Sequence, residues 1–129
     1  MCLAKYEAQV FAAGINLELQ TDFRHMAKAN FHLEKALLTP KLNSDVYDIN
    51  PLNGCWVKGV HGRGEVVHTQ AVRMDGLNGT SLAVCLKSLK AFCGNSAESA
   101  HPQENCEVNA PAAYGMTGRV GYHGEFWIK

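Results

Sequence analysis

The stretch "CWVKGVHGRGEVVHTQAVRM", residues 55–74, decides the expected fold of this chain. Two runs rich in strand-forming residues, 55–60 and 65–74, flank the segment "HGRG" at 61–64. A connection of this length and glycine content is typical of a β-hairpin. Neither side of the second run is uniformly apolar, so we expect one of its faces to meet further strands or a partner. The hairpin therefore predicts a mainly antiparallel sheet.

The segment before the hairpin begins with a helical pattern and continues with a strand pattern. Residues 3–13, "LAKYEAQVFAA", carry apolar side chains at helical spacing, and Gly14 follows where a helix commonly ends. Residues 15–20, "INLELQ", alternate apolar and polar side chains with the period of a half-buried strand. We therefore expect a short amphipathic helix and then a strand whose apolar side is buried.

A second helix is expected after this strand. Thr21 or Asp22 can cap it, because their side-chain oxygens accept hydrogen bonds from the free N–H groups of a first turn. Pro40 ends the pattern, and residues 41–54 are rich in turn-forming side chains, which predicts a connecting loop. The expected apolar side of this helix consists of Phe23, Met26, Ala27, Phe31, Leu33 and Leu37.

The segment after the hairpin predicts a third helix and further strands. Thr80 or Ser81 can cap a helix over residues 80–93, whose apolar side chains recur at helical spacing up to Gly94. Residues 94–105 hold many turn formers and few apolar side chains, which indicates a mobile loop. Three short strands are expected at 106–110, 116–122 and 124–129, the last two separated by a turn at Tyr122, His123 and Gly124.

Together these elements predict an α+β fold with a mainly antiparallel, mixed sheet of about five strands and flanking helices. At 129 residues and 14.1 kDa, the chain fits a single domain over residues 1–129. Twelve acidic and twelve basic residues balance, so the composition offers no electrostatic footprint for nucleic acid or an anionic membrane. A net charge near zero also does little to keep copies of the chain apart.

The distribution of apolar residues and cysteines indicates a cellular compartment. No apolar run approaches the roughly 20 residues needed to cross a bilayer, so no membrane span is predicted. The first residues lack the pattern of a secretory signal, and we therefore expect a cytoplasmic protein. The five cysteines, an odd number without CxxC spacing, predict reduced and mostly buried thiols rather than disulfides. They are Cys2, Cys55, Cys85, Cys93 and Cys106.

Four segments of the chain together resemble a known family. They are "GINLELQTDF" at 14–23, "GCWVKGVHGRGEVVHTQAVRM" at 54–74, "GTSLAVCLKSL" at 79–89 and "TGRVGYHGEFWIK" at 117–129. Their order of strand, helix, hairpin, helix and further strands is similar to that of bacterial proteins in the GNAT acetyltransferase superfamily. The resemblance covers residues 14–129 and implies a partial GNAT-like fold.

The resemblance also implies what the family carries after the last of these strands. There the relatives have the pattern P-x-F/Y-R-G-x-G-x, which starts a helix whose backbone N–H groups cradle the pyrophosphate of acetyl-CoA. Residues 124–129 resemble that last strand, and the pattern does not occur in this sequence. We therefore expect no cofactor and no acetyltransferase activity, as in the product of a truncated gene or a mobile gene cassette.

The same strand suggests a partner. An edge strand at the C-terminal end of the sheet would expose unpaired N–H and C=O groups together with Phe126, Trp127 and Ile128. Pairing with a second copy would cover them, so we expect a homodimer through the C-terminal strand. Two alternatives remain open: an acyl-CoA-dependent N-acyltransferase whose cofactor site is completed across a dimer, and a protein-interaction module.

Aromatic side chains are the leading candidates for a binding site. The six histidines form no HxH, HxxxH or HExxH pattern, so no metal site is predicted. No catalytic residue is predicted either, although His68 and His123 remain an alternative as general bases. An aromatic-lined cleft would suit a small, mostly apolar organic ligand, whereas core and dimer contacts are the other role for these rings. The predicted ligand-binding residues are Trp56, His68, Tyr114, Tyr122, Phe126 and Trp127.

Overall fold

The hairpin predicted at residues 55–74 forms the centre of the sheet. The structure, a computed structural model, describes residues 2–33, 38–90 and 101–129. Its helices are α1 (Cys2–Ala12), α2 (Phe23–His32), α3 (Leu82–Lys87) and α4 (Ala112–Gly115), with a 3₁₀ helix at Pro40–Leu42. Its strands are β1 (Ile15–Gln20), β2 (Gly54–His61), β3 (Glu65–Gly76) and β4 (Arg119–Ile128).

The four strands lie in the order β1-β2-β3-β4, and every neighbouring pair is antiparallel. The sheet therefore follows chain order and has β1 and β4 at its edges. Trp56 in β2 lies opposite Gln20 of β1 and Ala71 of β3. The α+β class and the antiparallel sheet are confirmed, with four strands rather than about five in the part of the chain that the structure describes.

The ends of the helices follow the capping signals in the sequence. α1 ends in a turn closed by Gly14, whose φ of +74° is a conformation that favours glycine. The N–H of Arg24 donates to Oδ1 of Asp22 across 2.9 Å and so caps α2. The N–H of Val84 donates to the hydroxyl of Ser81 across 3.3 Å and caps α3. Asp22 and Ser81 are thus the capping residues among the predicted alternatives.

The core lies between one face of the sheet and two elements that follow β1 in the chain, helix α2 and the 3₁₀ helix. α2 contributes Phe23 and Met26, and the 3₁₀ helix contributes Leu42, all at most 2% exposed. Burying a side chain of this kind contributes about 1.5–3 kcal/mol to stability. The buried cluster consists of Phe23, Met26, Leu42, Trp56 and Ala71. Of the predicted apolar side of α2, Ala27 is exposed, whereas Leu37 and the side chain of Phe31 lie outside what the structure describes.

The opposite face of the sheet carries exposed apolar side chains. Leu17 and Leu19 of β1 are 45% and 69% exposed, and Phe126 of β4 is 60% exposed. Glu18 and Gln20 are half-buried instead, on the side that carries the core. The expectation that the apolar side of β1 is buried is therefore wrong, because the helix covers the side with the polar residues.

The C-terminal segment differs most from the expectation. β4 is one continuous strand, so the predicted turn at Tyr122 to Gly124 is wrong. A Cβ at Gly124 would lie 3.0 Å from Cδ1 of Leu42, which shows that this glycine serves close packing against the core rather than a turn. Residues 106–110 form no strand, and α3 ends at Lys87. Residues 88–90 of the predicted helix form a turn instead, whereas its last residues and most of the predicted mobile loop fall in residues 91–100, outside the described ranges.

The expectation that the cysteines are reduced stays a prediction, and the described thiols are less buried than expected. Cys55, Cys85 and Cys106 are free and half-buried. Within the described ranges, no helix is both long enough and apolar enough to cross a membrane.

Candidate functional site

A cleft of about 690 Å³ opens between α2 and the face of the sheet that carries the core. Its lining includes two indole rings, from Trp56 of β2 and Trp127 of β4. Small-molecule sites are typically concave, hold about 300–1,000 Å³ and combine apolar walls with a few polar groups. The cleft meets this description, and we call it the tryptophan cleft. Its polar lining includes Gln20, His25, His32, Lys58, Glu65 and Lys129.

Trp56 forms the inner wall of the tryptophan cleft. Its side chain is 2% exposed, and its Nε1 donates to the carbonyl oxygen of Asp22 across 3.0 Å. Since Asp22 also caps α2, this bond fixes the start of the helix against the middle of the sheet. Its burial and this hydrogen bond therefore fix the position of the Trp56 ring.

Trp127 lies in the cleft because β4 contains a β-bulge. The pairing of β3 with β4 shifts by one residue beside Gln70, where β4 contributes both Glu125 and Phe126. Side chains of a regular strand alternate between the two faces, so one extra residue moves every later side chain to the other face. With the bulge, Trp127 pairs with Thr69 and lies on the core side. Without it, Trp127 would lie on the exposed apolar face.

Hydrogen bonds from three different elements hold Glu125 at the bulge. Its φ of +54° is rare for a residue with a Cβ and has to be stabilised by its surroundings. The amide of Asn30 in α2 donates to one carboxylate oxygen across 3.2 Å, and the N–H of Thr39 donates to the other across 2.9 Å. The hydroxyl of Thr69 donates to the Glu125 carbonyl oxygen across 3.1 Å. Helix, loop and neighbouring strand thus all contribute to the position of Trp127.

The lysines of the tryptophan cleft are each paired with a carboxylate. Lys58 Nζ lies 2.8 Å from Oε2 of Glu18, which faces it across β1 and β2. Lys129 forms an ion pair with Glu65 at the open end. The hydrogen bond and the charge of Lys129 hold the pKa of the Glu65 carboxyl below its usual value. Among the residues that the structure describes, each of the two lysine charges in the lining is therefore balanced by a carboxylate.

The histidines of the cleft lie on the helix side. His25 and His32 are seven residues apart in α2, so they share a face but lie about 10 Å apart along the axis. Among the residues that the structure describes, no three His, Cys, Asp or Glu side chains gather at one point to hold a metal ion. His123 pairs with Val72, which lies four residues from His68 in β3, roughly 13 Å along the strand, so these two rings do not meet.

The structure divides the six predicted ligand-binding residues among separate places. Trp56 and Trp127 line the tryptophan cleft. His68 and Phe126 lie on the opposite face of the sheet, where their ring centroids are 5.4 Å apart in an edge-to-face contact. His68 nevertheless supports the cleft from behind, because its Nδ1 donates to the carbonyl oxygen of Trp127 across 2.9 Å.

The two tyrosines lie elsewhere. Tyr122 packs against the core and lines a different cavity, beside α3. Tyr114 in α4 is 49% exposed, and its hydroxyl donates to the carbonyl oxygen of Val108 across 3.1 Å. The six side chains therefore do not share one cleft, and their role in ligand binding stays a prediction.

The polar residues of the cleft were not anticipated from the sequence. Lys58 lies two residues from Trp56 in a strand, and the period of two places both side chains on one face. The strand pattern that places Trp56 in the site therefore also predicts Lys58 on the same face. His25 and Gln20 offered no such signal, because their place depends on how α2 sits on the sheet.

Comparisons with known proteins identify no relative of this chain. No protein-family model, no curated protein and no solved structure matches the chain.

Proposed function

We propose that this protein binds a small, neutral, planar organic molecule in the tryptophan cleft and has no acetyltransferase activity. The observation that carries the proposal is the half-buried indole ring of Trp127 in the lining of a 690 Å³ cleft that the almost fully buried Trp56 also lines. Aromatic rings bind planar ligands by stacking and edge contacts, worth about 0.5–1.5 kcal/mol beyond the area they bury. The side chains of Gln20 and His25 in the lining carry polar groups that would orient such a ligand by hydrogen bonds.

The charge balance of the cleft favours a ligand without net charge. Lys58 and Lys129 are already paired with Glu18 and Glu65, so an anionic ligand would have to compete with those carboxylates. Acetyl-CoA carries several phosphate charges, which this balanced lining offers little to neutralise. The order of strand, helix and antiparallel hairpin supports a GNAT-like relationship, and the charge balance supports a scaffold without that family's chemistry.

We further propose that two copies associate through the exposed apolar face and the β4 edge. Leu17, Leu19, Phe126 and Ile128 are each between 45% and 69% exposed and together expose several hundred Å² of apolar surface, a size that marks interaction sites. A stable interface needs roughly 800 Å² from each partner, so the proposed interface would include the adjacent edge of β4 as well as these four side chains. A second copy offers the same uncharged surface, and the chain has no net charge to oppose its approach.

Nuclear magnetic resonance with three probes tests the ligand proposal. Indole is the neutral planar probe, indole-3-acetate is its charged counterpart, and acetyl-CoA is the cofactor of the resembling family. We expect indole to shift the side-chain signals of Trp127 and His25 and to bind at least tenfold more tightly than indole-3-acetate. Trp127→Ala should abolish the shifts, whereas the neighbouring Phe126→Ala, on the other face, should retain them.

Two outcomes would overturn the ligand proposal. One is unchanged indole binding in Trp127→Ala, which would place the ligand elsewhere. The other is tighter binding of acetyl-CoA than of indole, with shifts at Lys58 and Lys129, which would restore the acyl-CoA-dependent alternative.

A further inference from the structure

A second cavity, of about 390 Å³, lies on the core side of the sheet at the end away from the tryptophan cleft. The 3₁₀ helix, the first half of β4 and helix α3 enclose it. Most of its described lining is apolar, and the charged side chains among these residues are Lys41 and Asp75. We call it the α3 cavity. Its apolar lining includes Pro40, Leu82, Cys85, Leu86, Val120 and Tyr122.

The charged end of the α3 cavity belongs to a buried cluster. Lys41 Nζ lies 2.5 Å from Oδ2 of Asp75, and Arg73 Nη2 lies 2.8 Å from Oδ1 of the same carboxylate. The side chains of Lys41, Arg73 and Asp75 are 13%, 9% and 16% exposed. Arg73 also stacks over the ring of Tyr47 at 4.2 Å from its centroid, and its Nη1 donates to the Lys41 carbonyl oxygen across 2.9 Å.

This cluster has one positive charge more than it has negative charges. Both oxygens of Asp75 are in use, one by each cation, so the single carboxylate is shared. The buried Nε of Arg73 has no hydrogen-bond acceptor among the described residues. The ring of Tyr47 offers only the weak negative potential of an aromatic face. A buried charge without a full counter-charge is costly, so an anion from outside would be stabilised here.

We propose that the α3 cavity binds a small apolar monocarboxylate. The carboxylate would accept hydrogen bonds from the Lys41 ammonium, which has three donors and gives one to Asp75. The apolar body of the ligand would lie between Leu82, Val120 and Tyr122. A volume of 390 Å³ is at the small end of ligand pockets, which suits a short fatty acid or a single-ring aromatic acid.

The α3 cavity is separate from the tryptophan cleft and selects the opposite charge type. The cleft pairs each of its described lysines with a carboxylate, whereas the cluster at the charged end of the α3 cavity, to which Arg73 also belongs, has two cations for one carboxylate. None of the described residues lines both sites. The proposal therefore stands independently of the proposed function and can fail without it.

Calorimetric titration of the 129-residue chain with octanoate and with 1-octanol tests the charge requirement. The two probes have the same chain length and differ in the head group. We expect octanoate to bind at least tenfold more tightly than 1-octanol. Equal affinities would overturn the proposal, because the cavity would then recognise only the apolar chain.

Variants locate the site. Lys41→Met keeps most of the length of the unbranched side chain and removes its charge, so octanoate affinity should fall at least tenfold. Lys58→Met, in the tryptophan cleft, is the matched control and should leave octanoate affinity unchanged. Leu86→Trp should fill the cavity and abolish binding. Full affinity in folded Lys41→Met, or loss of affinity in Lys58→Met, would overturn the assignment.

The unmodified chain supplies a readout that does not depend on a variant folding. Cys85 lies in the wall of the α3 cavity, whereas Cys106 lies outside it. Saturating octanoate should slow the alkylation of Cys85 several-fold, followed by mass spectrometry, and leave the alkylation of Cys106 unchanged. Equal rates at Cys85 with and without octanoate would contradict the proposal.

Discussion

The side-chain amide of Asn30 donates to the carboxylate of Glu125 across 3.2 Å and joins helix α2 to the bulge of β4. The two residues are 95 positions apart in the chain. Asn30 is 3% exposed, so its amide has little access to water as an alternative partner. This contact couples the helix side of the tryptophan cleft to the strand that carries Trp127.

Replacing Glu125 should therefore destabilise the fold. Glu125→Ala removes the acceptor of the Asn30 amide and of the Thr39 N–H, and an unsatisfied buried donor costs about 1–3 kcal/mol. Urea denaturation measures the loss. Glu125→Gln keeps one acceptor and should lose less, and Glu107→Ala, at an exposed loop position, should stay within about 0.5 kcal/mol. Equal stability of Glu125→Ala and the parent chain would show that the contact contributes nothing.

Trp56→Phe should weaken the attachment of α2. The change keeps an aromatic ring in the core but removes the Nε1 donor to the Asp22 carbonyl oxygen and leaves space behind. We expect a loss of about 1–3 kcal/mol in the free energy of unfolding. Trp127→Phe, at a half-buried position, serves as the matched control and should lose clearly less. A larger loss in the control would mean that the bulge rather than the indole bond anchors the helix.

Gly54→Ala should reveal how closely β2 approaches α2. A Cβ at Gly54 would lie 2.6 Å from Cγ2 of Ile49 and 2.9 Å from Cε2 of Phe23, closer than atoms can pack. Such overpacking costs typically about 1–3 kcal/mol. Gly62→Ala is the control, because no atom lies within 4 Å of its new methyl group. Thermal unfolding of both variants measures the difference, and similar melting temperatures would refute the close approach.

The Asp22 carboxyl should titrate well below its ordinary pKa. The side-chain hydrogen bond from Arg24 lowers the pKa of Asp22 from 3.8 to about 2. A lowered pKa in the folded state means that this group adds stability above its ordinary pKa. That contribution is lost as the pH falls from about 4 to about 2. Because Arg24 is 78% exposed, salt should weaken the effect.

Carbon-detected titration of the Asp22 carboxyl by nuclear magnetic resonance measures this value directly. In Arg24→Ala the pKa should move back towards 3.8, while Lys28→Ala, another exposed change in the same helix, should leave it low. An Asp22 pKa near 3.8 in the unmodified chain would show that the ion pair does not form in solution.

Association of two copies predicts a concentration-dependent mass. Light scattering should report a dimer for the unmodified chain at micromolar concentrations. Leu19→Lys and Phe126→Lys place a charge on the exposed apolar face and should each yield monomers without loss of stability, since both side chains are at least 60% exposed. Lys5→Glu on α1 should leave the mass unchanged. A monomeric parent chain would refute the association.

The elements that the sequence predicted well are those specified by local interactions. Gly14, Asp22 and Ser81 mark helix ends because a cap involves only neighbours in the chain. The hairpin at 55–74 is likewise closed by its own short connection. These features need no knowledge of distant contacts, and the structure confirms them.

The errors arise where distant contacts decide. The side of β1 that is buried depends on where α2 packs, and α2 covers the side with Glu18 and Gln20. The sequence pattern indicates a turn at Gly124, whereas the close approach of Leu42 explains why a glycine lies at this position. The six predicted ligand-binding residues do not share one site for the same reason. Phe126 and Trp127, for example, are adjacent in sequence but lie on opposite faces of the sheet.

The bulge at Glu125 makes the length of β4 as important as its residues. Deleting one residue between Gly124 and Trp127 would restore simple alternation and exchange the surroundings of the two final aromatic rings. A phenylalanine would then face the core side and an indole the exposed face, with no change in composition. Substitutions along this strand are therefore easier to accommodate than a single insertion or deletion, which would remodel both the binding cleft and the opposite surface at once.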